Sequence, residues 1–354
     1  MARLHELFQQ LRDGGGSDLH LATGLAPRIR VHGELAPLAG RPALANDELL
    51  ALLRELVSEE QWQEYRRSGD LDFAYGVAGV ARFRANYLSQ ENGASAVFRI
   101  IPETIQPLES LNLPKAIGIL ADLQQGLVLI TGPTGSGKST TLAAIVDRIN
   151  ETYSKHVVTI EDPVEFVHHD KRCVFSQREV GTDTESFGAA LRAAIRQDAD
   201  VILVGEMRDL ETISLAITAA EMGALVFGTL HTNGAANTID RLIDAFPAEE
   251  QAQIRTTLSE SLAAVVSQLL LRTSDGHGRL AVNEILLRTP GLPNVIREGN
   301  TPMITSIIQG GRALGMQQMD DALMAFVEAG TVSPREAYMK STNKQRFEPL
   351  LKET

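Results

Sequence analysis

The sequence predicts an α/β nucleotide-binding core preceded by a smaller α+β unit, and three observations carry that expectation. From about residue 118, short apolar runs at 127–131, 157–160, 201–204 and 225–229 alternate with helix-patterned segments. Such alternation implies a mostly parallel sheet covered on both faces. The first of these runs leads directly into a glycine-rich loop and a helix, whereas residues 1–100 mix short alternating strands with an amphipathic helix.

Composition narrows the classes. The 354 residues suffice for two domains, and 44% apolar with 22% charged residues is an ordinary globular balance. Lys+Arg 33 against Asp+Glu 45 gives a net charge of -12, which argues against a broad nucleic-acid-binding surface. The single cysteine, Cys173, excludes a disulfide framework or a multi-cysteine zinc site within one chain and reads as a buried, inert thiol. Residues 1–11 do not read as a signal peptide, and no apolar run approaches the ~20 residues of a membrane helix.

In the N-terminal unit, 17–21 and 29–35 read as short strands with a turn at His32-Gly33-Glu34. Asn46 is placed to cap a helix carrying Leu49, Leu50, Leu53, Leu56 and Val57 at helical spacing. Leu71, Phe73 and Tyr75 alternate as a strand, with a hairpin turn at 76–79. In the next strand Phe83, Ala85 and Tyr87 fall on one face, and Arg82, Arg84 and Asn86 on the other. Three prolines between 101 and 114 mark a linker, and the tail reads as helices broken at Gly310-Gly311 and Ser333-Pro334.

The chemistry concentrates at four places. Gly132, Pro133, Thr134, Gly135, Ser136, Gly137, Lys138 and Ser139 match G-x-x-x-x-G-K-[ST] in full, between a strand and a helix that begins with Thr140. The glycines let successive N–H groups face phosphate oxygens, the helix start adds positive potential, Lys138 reaches the β- and γ-phosphates, and Ser139 is placed to ligand Mg²⁺. Glu206 ends the buried run 200–206, where such enzymes bring an acid to the metal and the attacking water. The acids Glu161, Asp162 and Glu165 follow another strand and offer a general base. His231, in Gly228-Thr-Leu-His-Thr232, is a candidate sensor of the γ-phosphate at the binding edge of a parallel sheet. His168-His169-Asp170 lacks further ligands at metal spacing.

These four elements, in this order, resemble the secretion-superfamily ATPases, and most closely the type IV pilus retraction (twitching motility, PilT-type) ATPases. The likeness also includes Ser17-Asp-Leu-His-Leu21, Arg82-Phe-Arg-Ala-Asn86, Val97-Phe-Arg-Ile-Ile-Pro102, Gln177-Arg-Glu-Val180 and Gly315-Met-Gln-Gln-Met-Asp320. The resemblance implies a PAS-like domain at 1–103, a linker at 104–117 and a RecA-like ATPase domain with C-terminal helices at 118–354. It further implies a homo-hexameric ring, ATP and Mg²⁺ as ligands, and nucleotide bound between the domains. Glu165 would activate water, Glu206 would associate with the metal, and His231 would lie near the γ-phosphate. Arg82, Arg84 and Arg99 would act from the N-terminal domain, with Arg279 a weaker candidate. The expected partners are an inner-membrane pilus platform protein and a paralogous ATPase, with no nucleic acid; the expected place is the cytoplasm, peripheral to the inner membrane.

Three positions depart from the family pattern. The acidic-Thr-Gly-His run reads Glu221-Met-Gly-Ala224, the Gln-x-Arg-Gly arginine is Asn92, and the C-terminal signature reads Gly291-Leu-Pro-Asn-Val-Ile-Arg-Glu298. Pro293 there is expected to disturb a helix interior. The lack of a four-cysteine module favours the retraction branch over extension and secretion relatives. The alternatives are an accessory retraction paralogue, a nucleotide-binding regulatory subunit without turnover, and a nucleic-acid motor.

Overall fold

Phe83, Ala85 and Tyr87 are fully buried along the strand Ala81–Gln90 while Arg84 between them is exposed. That alternation organises the N-terminal unit of the computed structural model, which describes residues 3–31, 34–102, 104–276 and 278–352. The chain divides into two units, Met1–Thr104 with Pro163–Val167, and Ile105–Asp162 with His168–Thr354.

The first unit runs α1 (Leu4–Asp13), β1 (Asp18–Ala22), β2 (Arg28–Val31), β3 (Glu34–Pro37), α2 (Asn46–Arg54), α3 (Glu59–Ser68), β4 (Asp70–Val77), β5 (Ala81–Gln90) and β6 (Gly93–Ile101). Its sheet is antiparallel in the order β3-β2-β1-β6-β5-β4. Leu4, Leu7, Phe8 and Leu11 form one stripe of α1 at helical spacing and are buried. Each such side chain contributes about 1.5–3 kcal/mol. Phe8 stacks on Phe83 with ring centroids 4.2 Å apart and meets Phe98 edge-on at 5.0 Å. Tyr87 donates to the Leu53 carbonyl at 3.0 Å, and burial pushes its pKa up.

Two local expectations change. Asn46 does not cap α2: its Oδ1 accepts from the Ala94 N–H at 2.9 Å and the Thr23 hydroxyl at 3.1 Å, so the amide ties the helix start to two strands instead. The β4–β5 turn closes at 78–80, with the Val80 N–H donating to the Val77 carbonyl. The turn expected at His32-Gly33-Glu34 falls mostly outside the described residues; Glu34 opens β3.

The second unit runs α4 (Lys115–Ile119), β7 (Gly126–Thr131), α5 (Lys138–Thr152), β8 (His156–Glu161), β9 (Val174–Glu179), α6 (Phe187–Ala194), β10 (Val201–Val204), α7 (Leu210–Glu221), β11 (Leu225–Leu230), α8 (Ala235–Asp244), α9 (Ala248–Ser261), β12 (Leu262–Arg272) and β13 (Arg279–Leu287). The helices α10 (Leu292–Arg297), α11 (Ile304–Gly310), α12 (Met319–Glu328), α13 (Pro334–Lys340) and α14 (Lys344–Phe347) follow. The sheet order is β13-β12-β7-β11-β10-β8-β9, parallel except for β13. The continuous apolar strands β7, β10 and β11 are buried at every position, as a sheet packed on both faces requires. One face packs on α6, α7, α8 and α9 through Leu191, Ile217, Ile239 and Leu258, and the other on α5 through Ile145 and Ile149.

The prolines expected in the linker start helical turns: Pro107 precedes Leu108–Leu111 and Pro114 precedes α4, and Leu108, Ala116 and Ile117 are buried in the second unit. Cys173 is buried, its thiol directed at the Tyr153 carbonyl 3.1 Å away, and burial pushes its pKa up. His168 stacks on Phe175 with rings 4.9 Å apart, and burial pushes its imidazole down to about 4. Among the described residues no helix is long and apolar enough to cross a membrane.

Candidate active site

Adjacent parallel strands deliver their carboxyl ends to one edge of the sheet, where ligands of open α/β sheets bind. Because β7, β11, β10 and β8 are neighbours in that order, the phosphate loop, His231, Glu206 and Glu161 emerge side by side. Strand spacing of about 4.8 Å puts neighbouring loop residues within hydrogen-bonding reach.

After β7 the chain enters the loop at Gly132 with φ 139, and a Cβ there would stand 2.1 Å from the Gln268 carbonyl oxygen, so only glycine can pass. Lys138 opens α5, and the residue before it, Gly137, provides no side-chain cap. The first N–H groups of the helix are thereby directed into the loop. Lys138 is largely buried; its Nζ donates to the Gly132 carbonyl at 2.8 Å and the Pro133 carbonyl at 3.2 Å, arching over the loop. The buried hydroxyls of Thr131 and Ser136 have no hydrogen-bond partner among the described residues. Leaving such a group unpaired costs about 1–3 kcal/mol. Orphaned hydroxyls, an uncapped helix start and a lysine together fit a polyphosphate. Pro133, Thr134 and Gly135 are exposed at the loop crest, and Ser139 and Thr140 are half-buried in the first turn of α5.

Glu206 follows β10 through Gly205, whose N–H donates to the Ile160 carbonyl at 2.8 Å. A Cβ on Gly205 would crowd the Ile160 carbonyl at 3.2 Å and the Glu161 Cα at 3.3 Å. The Met207 N–H donates to the Thr229 carbonyl at 3.0 Å, and the Thr229 hydroxyl bonds the Gly205 carbonyl, so this turn is pinned to both flanking strands. Glu206 Oε2 accepts from Arg208 at 2.6 Å, and Oε1 lies 3.0 Å from His231 Nε2. The Arg208 hydrogen bond outweighs the opposing effect of burial, and with His231 and Lys138 nearby it holds the Glu206 carboxyl below its ordinary range. Glu206 is therefore an anion at neutral pH.

Of the three acids after β8, Glu161 is buried and accepts from the Thr159 hydroxyl at 2.7 Å and from Gln177 at 3.3 Å. Asp162 and Glu165 are exposed. Glu165 belongs to the Pro163–Val167 segment, which groups with the first unit. Within that first unit, strand register sets Arg84 directly opposite Arg99 on the polar face. Like charges in that relation repel, and acids offset them: Asp18 meets Arg99 at 2.7 Å, and Asp72 lies 3.9 Å from Arg84. Arg82 lies on the same face opposite Ile101. Arg279 is exposed at the start of β13, opposite Arg272.

Comparison with known proteins agrees with this geometry. The sequence pattern of the family described as type II/IV secretion system protein matches residues 2–339. The chain belongs to the type II/IV secretion system protein family. It is 50% identical over 333 residues to the type IV pilus retraction ATPase PilT of Pseudomonas aeruginosa, covering 94% of this chain and 96% of that protein. It is 49% identical over 319 residues to a twitching motility protein of Neisseria gonorrhoeae, covering 90% and 85%. A crystal structure of the pilus retraction motor PilT with bound ADP superposes with a TM-score of 0.92 at 41% identity, covering 99% of each chain.

The fold places each of the three departures from the family pattern. Ala224 stands before β11, at the sheet edge opposite His231. The six residues of that strand separate the two by about 20 Å. Pro293 does not disturb a helix interior: it occupies the first turn of the short α10, where its missing N–H has no intrahelical partner to lose. Asn92 is exposed in the turn between β5 and β6. Sequence reasoning missed Arg208 and Gln268. Arg208 stands two residues after Glu206, close enough to be suspected as its counter-ion. Gln268 is 132 positions from the loop carbonyl it binds, and no local pattern announces that contact.

Proposed function

We propose that the protein is an ATP-hydrolysing motor that powers type IV pilus retraction. The observation that carries this reading is the convergence, on one sheet edge, of a phosphate loop with Lys138 and an ionised carboxylate, Glu206, held by Arg208 and His231. The N–H groups at the start of α5 and Lys138 bind the phosphates of ATP. Ser139 and Glu206 would hold Mg²⁺, which when bound neutralises charge on the β- and γ-phosphates; sites of this kind combine one or two protein oxygens with the substrate's own. Glu165 accepts a proton from water as its oxygen attacks the γ-phosphorus. The bond to the β,γ-bridging oxygen then breaks, giving ADP and phosphate. His231 senses the γ-phosphate and passes the change to Glu206. Arg82, Arg84 and Arg99 supply positive charge to the transition state.

The working form in this reading is a ring of six copies with a PAS-like domain at 1–103, a linker at 104–117 and a RecA-like ATPase domain at 118–354. It acts at the cytoplasmic face of the inner membrane on a pilus platform protein. Retraction in cells lacking the gene tests the reading: wild type restores twitching and Lys138→Ala does not. Normal twitching in the deletion strain would assign retraction to another motor.

A further inference from the structure

A loop with three glycines in left-handed or extended-positive backbone, Gly132 (φ 139), Gly135 (φ 77) and Gly137 (φ 86), has little intrinsic order. Its shape must be imposed by what surrounds it. Gln268, in the middle of β12 and 1% exposed, is placed to impose it. Its Nε2 donates to the Ser136 carbonyl inside the loop at 2.7 Å, and its Oε1 accepts from the Thr141 hydroxyl, in the first turn of α5, at 2.9 Å. The same Oε1 accepts from Asn283 Nδ2 at 3.0 Å, its cross-strand partner on β13. The backbone closes in as well: Gly132 faces the Gln268 carbonyl oxygen, and a Cβ on Gly137 would stand 3.0 Å from Nε2.

We infer that Gln268 is the positioning residue of the phosphate loop, holding the Ser136 carbonyl and the start of α5 at a fixed separation so that the loop N–H groups and Lys138 converge on the phosphates. It touches no substrate itself. The clamp is braced from behind, because the Asn283 carbonyl accepts from Gln317 Nε2 at 2.8 Å. Gln317 lies in the Gly315–Asp320 run, a motif that the hydrolysis scheme leaves without a role. The inference rests on the nucleotide-binding reading of the loop.

The test is titration of Mg²⁺–ADP into wild type, Gln268→Met and Gln268→Glu, at a temperature where circular dichroism shows each fully folded, together with KM and kcat for ATP. Methionine keeps the volume and removes the hydrogen bonds. Glutamate keeps the acceptor for Thr141 and Asn283 but, when ionised, faces the Ser136 carbonyl with an oxygen. We expect Gln268→Met to weaken ADP binding and raise KM by about tenfold, the effect of one or two lost hydrogen bonds at the site. A purely structural role would lower the active fraction, and so the apparent kcat, without moving KM. In Gln268→Glu, ADP affinity recovers toward wild type as pH falls, since the protonated acid again donates to Ser136. Unchanged affinity and KM in Gln268→Met overturn the inference. If that variant does not fold, an ADP affinity in Gln268→Glu that follows the wild-type pH dependence overturns it. Failure of wild type to bind ADP would instead remove the nucleotide-binding reading beneath it.

Discussion

His231 Nε2 stands 3.0 Å from Glu206 Oε1, while Arg208 holds the other oxygen of the same carboxylate at 2.6 Å. A histidine from the end of β11 and an arginine from the loop after β10 thus share one acid beside the phosphate loop. The arrangement keeps Glu206 ionised and gives each of its oxygens a partner.

The first expectation follows from that shared acid. The Arg208 hydrogen bond is the largest influence lowering the Glu206 pKa, so Arg208→Ala raises it. The acidic limb of the kcat/KM profile for ATP then moves to higher pH, because Glu206 takes up a proton earlier as pH falls. A limb left in place shows that Glu206 ionisation does not govern turnover.

Ser139 is expected to act on the metal more than on the fold. Ser139→Ala should raise the Mg²⁺ concentration for half-maximal turnover by about tenfold or more, since it removes one of the few protein oxygens offered to the ion. Melting of the unliganded protein should change little, as Ser139 is only half-buried in the first turn of α5. An unaltered Mg²⁺ dependence would remove Ser139 from the metal site.

Pro293 lies in the first turn of α10. A proline in a helix interior costs about 3 kcal/mol, but one in the first turn does not. Pro293→Ala should therefore shift denaturant-derived stability by no more than about 0.5 kcal/mol in either direction. Stabilisation of several times that size would mean that the proline strains α10 after all.

His168 gives stability a pH dependence whose sign is fixed. Its folded-state pKa, about 4, lies below the ordinary 6.5, so as pH falls the unfolded chain binds a proton first. Its contribution is complete above the ordinary value and drains away as pH falls toward the folded one, a loss of the order of 3 kcal/mol. Denaturant midpoints at pH about 7.5 and about 5 should differ less in His168→Phe, which keeps the stack on Phe175 without a titrating ring. Equal differences in the two proteins would mean that His168 does not titrate on unfolding.

Much of this was written in local pattern. The alternation of Phe83, Ala85 and Tyr87 with Arg82 and Arg84 is a period-two signal that survives folding unchanged, and the phosphate loop carries its own strand and helix context. The helix α1 carries the same kind of signal in the spacing of Leu4, Leu7, Phe8 and Leu11, but residues 1–11 were read only against a signal peptide and the helix was missed. The β12–β13 hairpin was not, because the run Leu262–Leu271 is apolar nearly throughout and such a run suits a buried helix as well as a strand. Asn46 shows the limit of cap reasoning: the residue type was right for a helix start, but Thr23 and the Ala94 N–H offered its oxygen better-placed donors. Gln268 shows a different limit, since its role exists only once β12 lies beside β7.

The most direct test is phosphate release from Mg²⁺–ATP by the purified protein, measured beside Glu165→Gln and Lys138→Ala. Wild type turns over, Glu165→Gln binds ATP but hydrolyses it about 10²–10⁴-fold more slowly, and Lys138→Ala loses both binding and turnover. A wild-type protein that binds ATP under assembly conditions and releases no phosphate would contradict the motor reading.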